Sequence, residues 1–407
     1  MSSAMAWAIC RKIGRSAAAS RSRVSSQERI PLVYQRSQDW IFLLDQLPAI
    51  FSGMRKEIFR MERAEAVALL ERSGVVHLAS TTADGAPVLR TVHGVVVRGA
   101  LAFHGAPAGE KMEVIGREAV VSAEEVVAAI PSYFIDPERA CPATTLYRSA
   151  QVHGRVERVD DAEEKAEVLS ALMHRFQPEG GHVPITAGDP LYKKAVAGIL
   201  VLKVSLEQLD GKAKLAQNRT PVERQRLMEK LWARGLPGDP AAIELMRAAN
   251  PGTPMPAFLT GPAGVSLVAA LEPADATAAA ELLVDAYWNG GFSRAEIAEA
   301  HLGSPAWVGA RDEQGALIAT ARAISDGAKR AWIYDVMIAA PWRGRGLGEA
   351  LMRLLLDHPA LRRTRRVYLG TRDAQSFYER LGFGDRRMVE EPLRPWPTTE
   401  MVLARGA

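Results

Sequence analysis

Apolar residues fall at helical spacing between residues 62 and 72, where Ala64, Ala66, Val67, Leu69 and Leu70 share one side and Gly74 stands where a helix would end. The period then shortens. Residues 75–80 (VVHLAS) read as a strand, 83–87 (ADGAP) as a turn, 88–97 as a second strand and, across Arg98-Gly99, residues 100–104 as a third. Further strand signal lies at 119–122, 149–159 and 199–206, with a helix over 161–176 opened by Asp160 or Asp161. Many short strands carrying two helices predict a small antiparallel barrel rather than a parallel sheet.

Helix-breaking residues crowd the stretch 235–264, interrupted by a short helix near 241–249, and mark a boundary at about residue 260. Beyond it the pattern mixes the two periods. A strand at 265–270 precedes a helix over 275–288, and Ser293 with Glu296 spells a capping box for the next helix. Residues 306–310, 316–324 and 331–339 read as antiparallel strands. A glycine-rich loop and a helix over 349–356 follow. The resulting division is an unassigned tail at 1–57, a barrel at 58–210, a helical extension and linker at 211–260, and an α/β (α+β) unit at 261–407.

Composition narrows the function classes. A length of 407 residues with 48% hydrophobic and 24% charged residues fits two or three folded domains. The net charge is only +4, and much of the excess lies in the first thirty residues, so no nucleic-acid-binding face is expected. That basic, Ser-rich opening reads as a flexible tail, or as an extended start ahead of Met54 or Met61. No run reaches the roughly 18 apolar residues of a spanning helix. Two distant cysteines, Cys10 and Cys141, give neither a disulfide framework nor a thiolate metal site. His77, His93, His104 and His153 are scattered over different strands without ligand spacing, so no metal is expected. A reducing, cytoplasmic setting fits these features.

Two segments carry candidate chemistry. Arg343-Gly344-Arg345-Gly346-Leu347-Gly348 lies directly between a strand and a helix. Glycines let the backbone turn tightly and bare its amides, and the helix N-terminus adds a positive field, which together make a pyrophosphate cradle. A P-loop would end in Gly-Lys-Ser/Thr, and a dinucleotide fingerprint needs a different glycine spacing within a parallel unit. The barrel's segment is less specific. Arg90, Thr91 and Lys111, with amides freed by Gly105 and Gly109, could hold a phosphate or could be solvated surface groups.

The run from about Met61 to Leu259 resembles the flavin-nucleotide-binding split barrels related to pyridoxamine 5'-phosphate oxidase, especially the nitroimidazole-resistance branch. The matching pieces are residues 74–81 (GVVHLAST), 88–92 (VLRTV), 101–106 (LAFHGA), Lys111 and 147–154 (YRSAQVHG). The resemblance implies an antiparallel split β-barrel that binds FMN. Arg90, Thr91 and Lys111 would take its phosphate, with Val92 and His104 beside them. Tyr147, Ser149 and Gln151 would lie near the cofactor at the interface of a homodimer. No Arg-x-Arg-Leu-like segment for a pyridoxal substrate follows the barrel, so vitamin B6 oxidation is not implied. A Lys-x-x-Gln-Asn-Arg stretch at 214–219 is instead similar to FMN split barrels of the negative-regulator type, and Thr220, Pro221 and Glu223 also spell a helix start there.

The segment 265–404 resembles the GCN5-related N-acetyltransferase (GNAT) superfamily, whose pyrophosphate motif Gln/Arg-x-x-Gly-x-Gly/Ala is met by Arg343, Gly346 and Gly348. Gly344, Arg345 and Leu347 complete that loop. The resemblance implies acetyl-CoA as co-substrate, with Met337 and Ile338 pairing with the pantetheine arm and Tyr378 protonating the leaving thiolate. Thr371 stands where an asparagine contact is common. Asp335, on the strand before the loop, is the candidate base for the amine, directly or through water; a charge partner for a nearby arginine is the alternative. The whole reads as an N-acetyltransferase for an amine acceptor, fused to a flavin domain with possible oxidoreductase activity. The alternative is a regulatory or stress protein whose barrel senses flavin or dimerises.

Overall fold

The computed structural model describes residues 57–386 and residue 388; the reading of the tail up to residue 56, and of the unit's last residues, falls outside these. Helix α1 (Arg63–Arg72) turns Ala66, Leu69 and Leu70 inward. Two antiparallel sheets then share its core. The first has the order β2 (Pro87–Val92), β1 (Val76–Thr81), β5 (Glu118–Ile130), β6 (Thr144–Arg155) and β9 (Gln208–Lys214). The second has the order β3 (Val95–Val97), β4 (Ala100–Gly105), β8 (Leu200–Ser205) and β7 (Glu157–Val159). Both sheets are open, as in a split barrel.

Two segments read from the sequence as single strands are each divided between the sheets. Residues 88–97 break at His93-Gly94, where a Cβ on Gly94 would lie 3.0 Å from Val76 Cγ2 and 3.1 Å from Leu101 Cδ1. Residues 149–159 break at Val156, whose amide donates to Arg117 O while its carbonyl accepts from Gly116 N. A strand that changes sheets must bend, and the hydrophobic pattern does not register the bend. β5 also runs far past residues 119–122, and β9 crosses residue 210, because Asp-Gly-Lys-Ala-Lys offers too little apolar surface to read as a strand. Gly211 in that strand lies against α1, where a Cβ would come within 2.9 Å of Ala66 Cβ. Helices α2 (Ala162–Phe176) and α3 (Lys193–Gly198) separate β7 from β8.

The breaker-rich connection is packed, not loose. α4 (Pro221–Arg234) opens with the full Thr220/Glu223 capping box, and α5 (Asp239–Ala248) follows. Buried Asn250 donates to Leu215 O at 2.9 Å and to Met246 O at 2.8 Å. Trp232 stacks on Phe258 with ring centroids 4.6 Å apart, and its indole nitrogen donates to Asp357 at 2.5 Å. Arg362 donates to the carbonyls of Trp232 and Ala233. One apolar core therefore continues from the barrel into the second unit.

That unit is a five-stranded sheet ordered β10 (Ser266–Val268), β11 (Ala306–Arg311), β12 (Leu317–Ser325), β13 (Arg330–Ile338) and β14 (Arg366–Tyr368). The first four strands are antiparallel and the last pair is parallel. Helices α6 (Ala276–Leu283) and α7 (Arg294–Leu302) cover the face carrying Val268 and Trp307. Helix α8 (Leu347–Leu356) joins the core of the opposite face, with Leu267 and Val308. The helix expected over 275–288 stops at Leu283, whose carbonyl accepts from the buried Asn289 side chain, and Tyr287 and Trp288 lie in the turn beyond it. The short helix α9 (Gln375–Arg380) follows β14. The architecture is a pair of open antiparallel sheets with helices, followed by a mixed α/β unit.

Candidate functional site

In the second unit β13 and β14 pair only through Arg330, Ala331 and Trp332 with Arg366, Val367 and Tyr368. β13 continues to Ile338, so among the described residues its outer edge beyond Trp332 has no strand partner and offers backbone groups to an extended ligand. Opposite, its pairing with β12 skips a residue between Thr320 and Arg322, and Asp335 sits in that bulge with φ +53°.

The loop after β13 has the form read from its sequence. Gly344 and Gly346 adopt φ of +73° and +80°, a conformation costly for residues with a Cβ, and no atom stands within 4 Å of where a Cβ would be. Gly346 caps α8, and the amides of Arg345 to Glu349 have no backbone acceptor among the described residues. Leu347 is 1% exposed and anchors the turn in the core. Gly348 faces Phe377, which brings α9 against the start of α8. Two of the residues assigned to the cofactor are engaged within the chain. Arg343 folds back to donate to Ile338 O at 2.9 Å, which takes one of the strand-end carbonyls. Thr371 Oγ1 accepts from Ala374 N and so holds the turn before α9.

Tyr378 is partly buried, edge-on to Phe377 and Phe383. Burial first, then Tyr287 and Asp373, push its phenol above the ordinary value, so it carries its proton at neutral pH. Asp335 takes the alternative role left open by the sequence. Its Oδ2 accepts from Arg322 Nε at 2.5 Å and its Oδ1 from Trp288 Nε1 at 2.9 Å, with the side chain 6% exposed. Both oxygens of the carboxylate are thus engaged by donors from the chain, with a guanidinium against it. Trp288, Tyr287 and Arg322 carry no sequence signal for this role. Nor does His301, which is fully buried; its Nδ1 lies 2.7 Å from Ile297 O and its Nε2 has no hydrogen-bond partner among the described residues.

The barrel brings Arg90, Lys111 and His104 of its expected set together. Arg90 pairs with Glu110, and Lys111 lies over Gly105, where a Cβ would collide with its ammonium. His104 is adjacent: burial first, then Lys111 and His93, lower its pKa, and its Nδ1 is buried with no hydrogen-bond partner among the described residues. Thr91 Oγ1 is 3.4 Å from His77 Nδ1, and Val92 is buried. Arg90 and Thr91 point to opposite faces, so one ligand can touch both only around the free edge of β2. Tyr147, Ser149 and Gln151 lie on β6, with Lys212 and Lys214 flanking the Tyr147 ring. β6 is three strand spacings from β2, about 14 Å, so one chain does not unite the two groups.

A separate cavity of about 370 Å³ lies between α5 and β10. In its lining Glu244 pairs with Arg247 and Asp275 with Arg311, Glu272 stands beside them, and burial raises the Glu244 pKa despite its arginine. No metal-binding cluster occurs among the described residues, and no helix there is long and apolar enough to cross a membrane.

Family models match two parts of the chain: pyridoxamine 5'-phosphate oxidase at residues 62–213, and the acetyltransferase (GNAT) family at 276–383. Solved structures similar to the first part include a putative 5-nitroimidazole antibiotic resistance protein from Bacteroides thetaiotaomicron, at 21% identity over 40% of this chain and 89% of that one, TM-score 0.31. A flavocytochrome from Azotobacter vinelandii is similar at 18% identity over 41% and 74%, TM-score 0.35. The second part is similar to a putative GNAT acetyltransferase from Xanthomonas campestris, at 29% identity over 34% and 96%, TM-score 0.30. No curated protein matches the chain. The chain is thus a fusion of a pyridoxamine 5'-phosphate oxidase-like domain with a GNAT acetyltransferase domain.

Proposed function

We propose that the chain is an acetyl-CoA-dependent N-acetyltransferase that carries an FMN-binding domain and works as a homodimer in the cytoplasm. The observation that carries the transferase reading is the loop at Gly344–Gly348: open left-handed glycines and unpaired amides at the head of α8, beside the free edge of β13. Amides of the loop hold the pyrophosphate, with Arg345 near its charge, and Met337 and Ile338 offer backbone to the pantetheine arm. The amine nitrogen attacks the thioester carbonyl, the C–S bond breaks, and Tyr378 gives its proton to the departing sulfur. Because Asp335 is engaged, the amine's proton leaves to water.

For the barrel, the cations Arg90 and Lys111 and the unpartnered His104 Nδ1 fit a phosphate, with Glu110 as the anion it displaces from Arg90. FMN, when bound, supplies two-electron redox chemistry. Tyr147, Ser149 and Gln151 complete that site from a second copy, since their own chain leaves them three strands away. Release of CoA thiol from acetyl-CoA on addition of an amine tests the transferase. Quenching of FMN fluorescence by the protein, lost in Lys111→Ala, tests the flavin site. An absence of either signal in folded protein removes the corresponding half of the proposal.

A further inference from the structure

Soluble domains ordinarily bury their large rings or leave them singly exposed. Here a row of them lies open beside the candidate proton donor. Tyr287, Trp288, Tyr334 and Trp332 are 44%, 40%, 40% and 38% exposed. They are joined by contact. Tyr287 meets Trp288 edge-on at 4.8 Å, and Trp288 donates to Asp335. Asp335 holds Arg322, whose guanidinium lies 5.0 Å from the centre of the Tyr334 ring, and Tyr334 is stacked 6.3 Å from Trp332. At the other end the Tyr287 hydroxyl accepts from Arg372 N at 2.9 Å, in the turn before α9, and is near enough to Tyr378 to help raise that phenol's pKa. The row therefore runs from the proton donor along β13, past the bulge.

Its charge is as informative as its rings. The one carboxylate within the row, Asp335, is neutralised by Arg322. The next, Asp373, pairs at 3.3 Å with Arg372, which itself covers the Tyr287 ring at 3.7 Å. Both of these acids already hold an arginine among the described residues. Aromatic faces can take one ammonium by cation–π attraction and a planar ring by offset stacking.

We propose that the acetyl acceptor is an aromatic monoamine, a planar ring bearing one primary amine on a short arm, with Trp288 and Tyr334 as the wall that receives the ring. This rests on the transferase reading and names its substrate class. The amine reaches the thioester carbonyl, the new bond is C–N, and the thiolate leaves with the Tyr378 proton.

The test uses the full-length protein, with acetyl-CoA binding measured first by calorimetry. CoA thiol release is then followed with tryptamine, 2-phenylethylamine, spermidine and a lysine-containing peptide. The expected result is a kcat/KM for tryptamine at least about tenfold above that for spermidine or the peptide. Tyr334→Leu and, separately, Trp288→Phe are expected to raise the KM for tryptamine, by about tenfold for the first, while leaving the KM for acetyl-CoA unchanged. Preference for spermidine or the peptide, turnover of none of the amines, or an unchanged tryptamine KM in Tyr334→Leu would overturn the proposal in a protein that binds acetyl-CoA. Failure to bind acetyl-CoA would instead remove the transferase reading on which it stands.

Discussion

Asp335→Asn separates the two roles open to this carboxylate. Asparagine tolerates φ +53° about as well as aspartate, so the bulge survives the change. What is lost is the charge facing Arg322 and one acceptor: whichever way the amide is turned, its NH2 meets either Arg322 Nε or Trp288 Nε1. The pair is well shielded, with side chains 6% and 12% exposed, and breaking a buried pair from one side costs about 3–5 kcal/mol. Because the amide oxygen still satisfies one donor, the lower end, about 3 kcal/mol, is expected. Urea unfolding should show the midpoint falling at unchanged slope. Adding Arg322→Met should recover part of the loss, since the stranded cation is gone. Acetyl transfer per folded molecule should fall by less than about tenfold, whereas loss of a general base costs about 10²–10⁴. Unchanged stability combined with a hundredfold loss of rate would refute the charge-partner account and restore Asp335 as the base.

Three further outcomes follow from the same geometry. Tyr378→Phe should lower kcat by about 10²–10⁴ with acetyl-CoA affinity preserved, and the wild-type alkaline limb should lie above the ordinary tyrosine range because burial raises the phenol pKa. Glu110→Gln should tighten FMN binding a few-fold by freeing Arg90, the modest size following from the exposure of that ion pair; fluorescence titration reads it. Burial lowers the His358 pKa from 6.5 to about 4, so its neutral form is the folded one. Its contribution is complete above pH 6.5 and is lost as pH falls from 6.5 towards 4, by up to about 3 kcal/mol. Urea midpoints measured across that range should slope downward, and His358→Asn should flatten the slope.

Legibility in the sequence followed the range of the forces involved. The loop at Arg343–Gly348 was readable because left-handed glycines and a helix start are encoded within a few neighbouring residues. The capping boxes at Thr220 and Ser293 were readable for the same reason, and each forms. The sheet-crossing bends at Gly94 and Val156 were not, since they depend on contacts with Val76, Leu101 and Arg117 from other strands. The pairing of Asp335 with Arg322 and Trp288 was equally hidden. It joins positions 13 and 47 residues apart, and it needs a bulge that only the register with β12 reveals. The acidic partner of Arg90 was likewise invisible, although Glu110 stands beside the lysine singled out from the same loop.

The central claim is that the Gly344–Gly348 loop binds acetyl-CoA, and the most direct measurement is calorimetric titration of the purified protein with acetyl-CoA and with FMN, beside a Gly346→Trp variant. The surroundings of Gly346 are open, so a Trp ring there meets no core atom and fills the cradle, while φ +80° strains the new residue and confines the damage to the loop. The account predicts saturable acetyl-CoA binding that disappears in the variant while FMN binding persists in both. Wild-type protein that is folded yet takes no acetyl-CoA, or a variant that binds it as well as wild type, would contradict it.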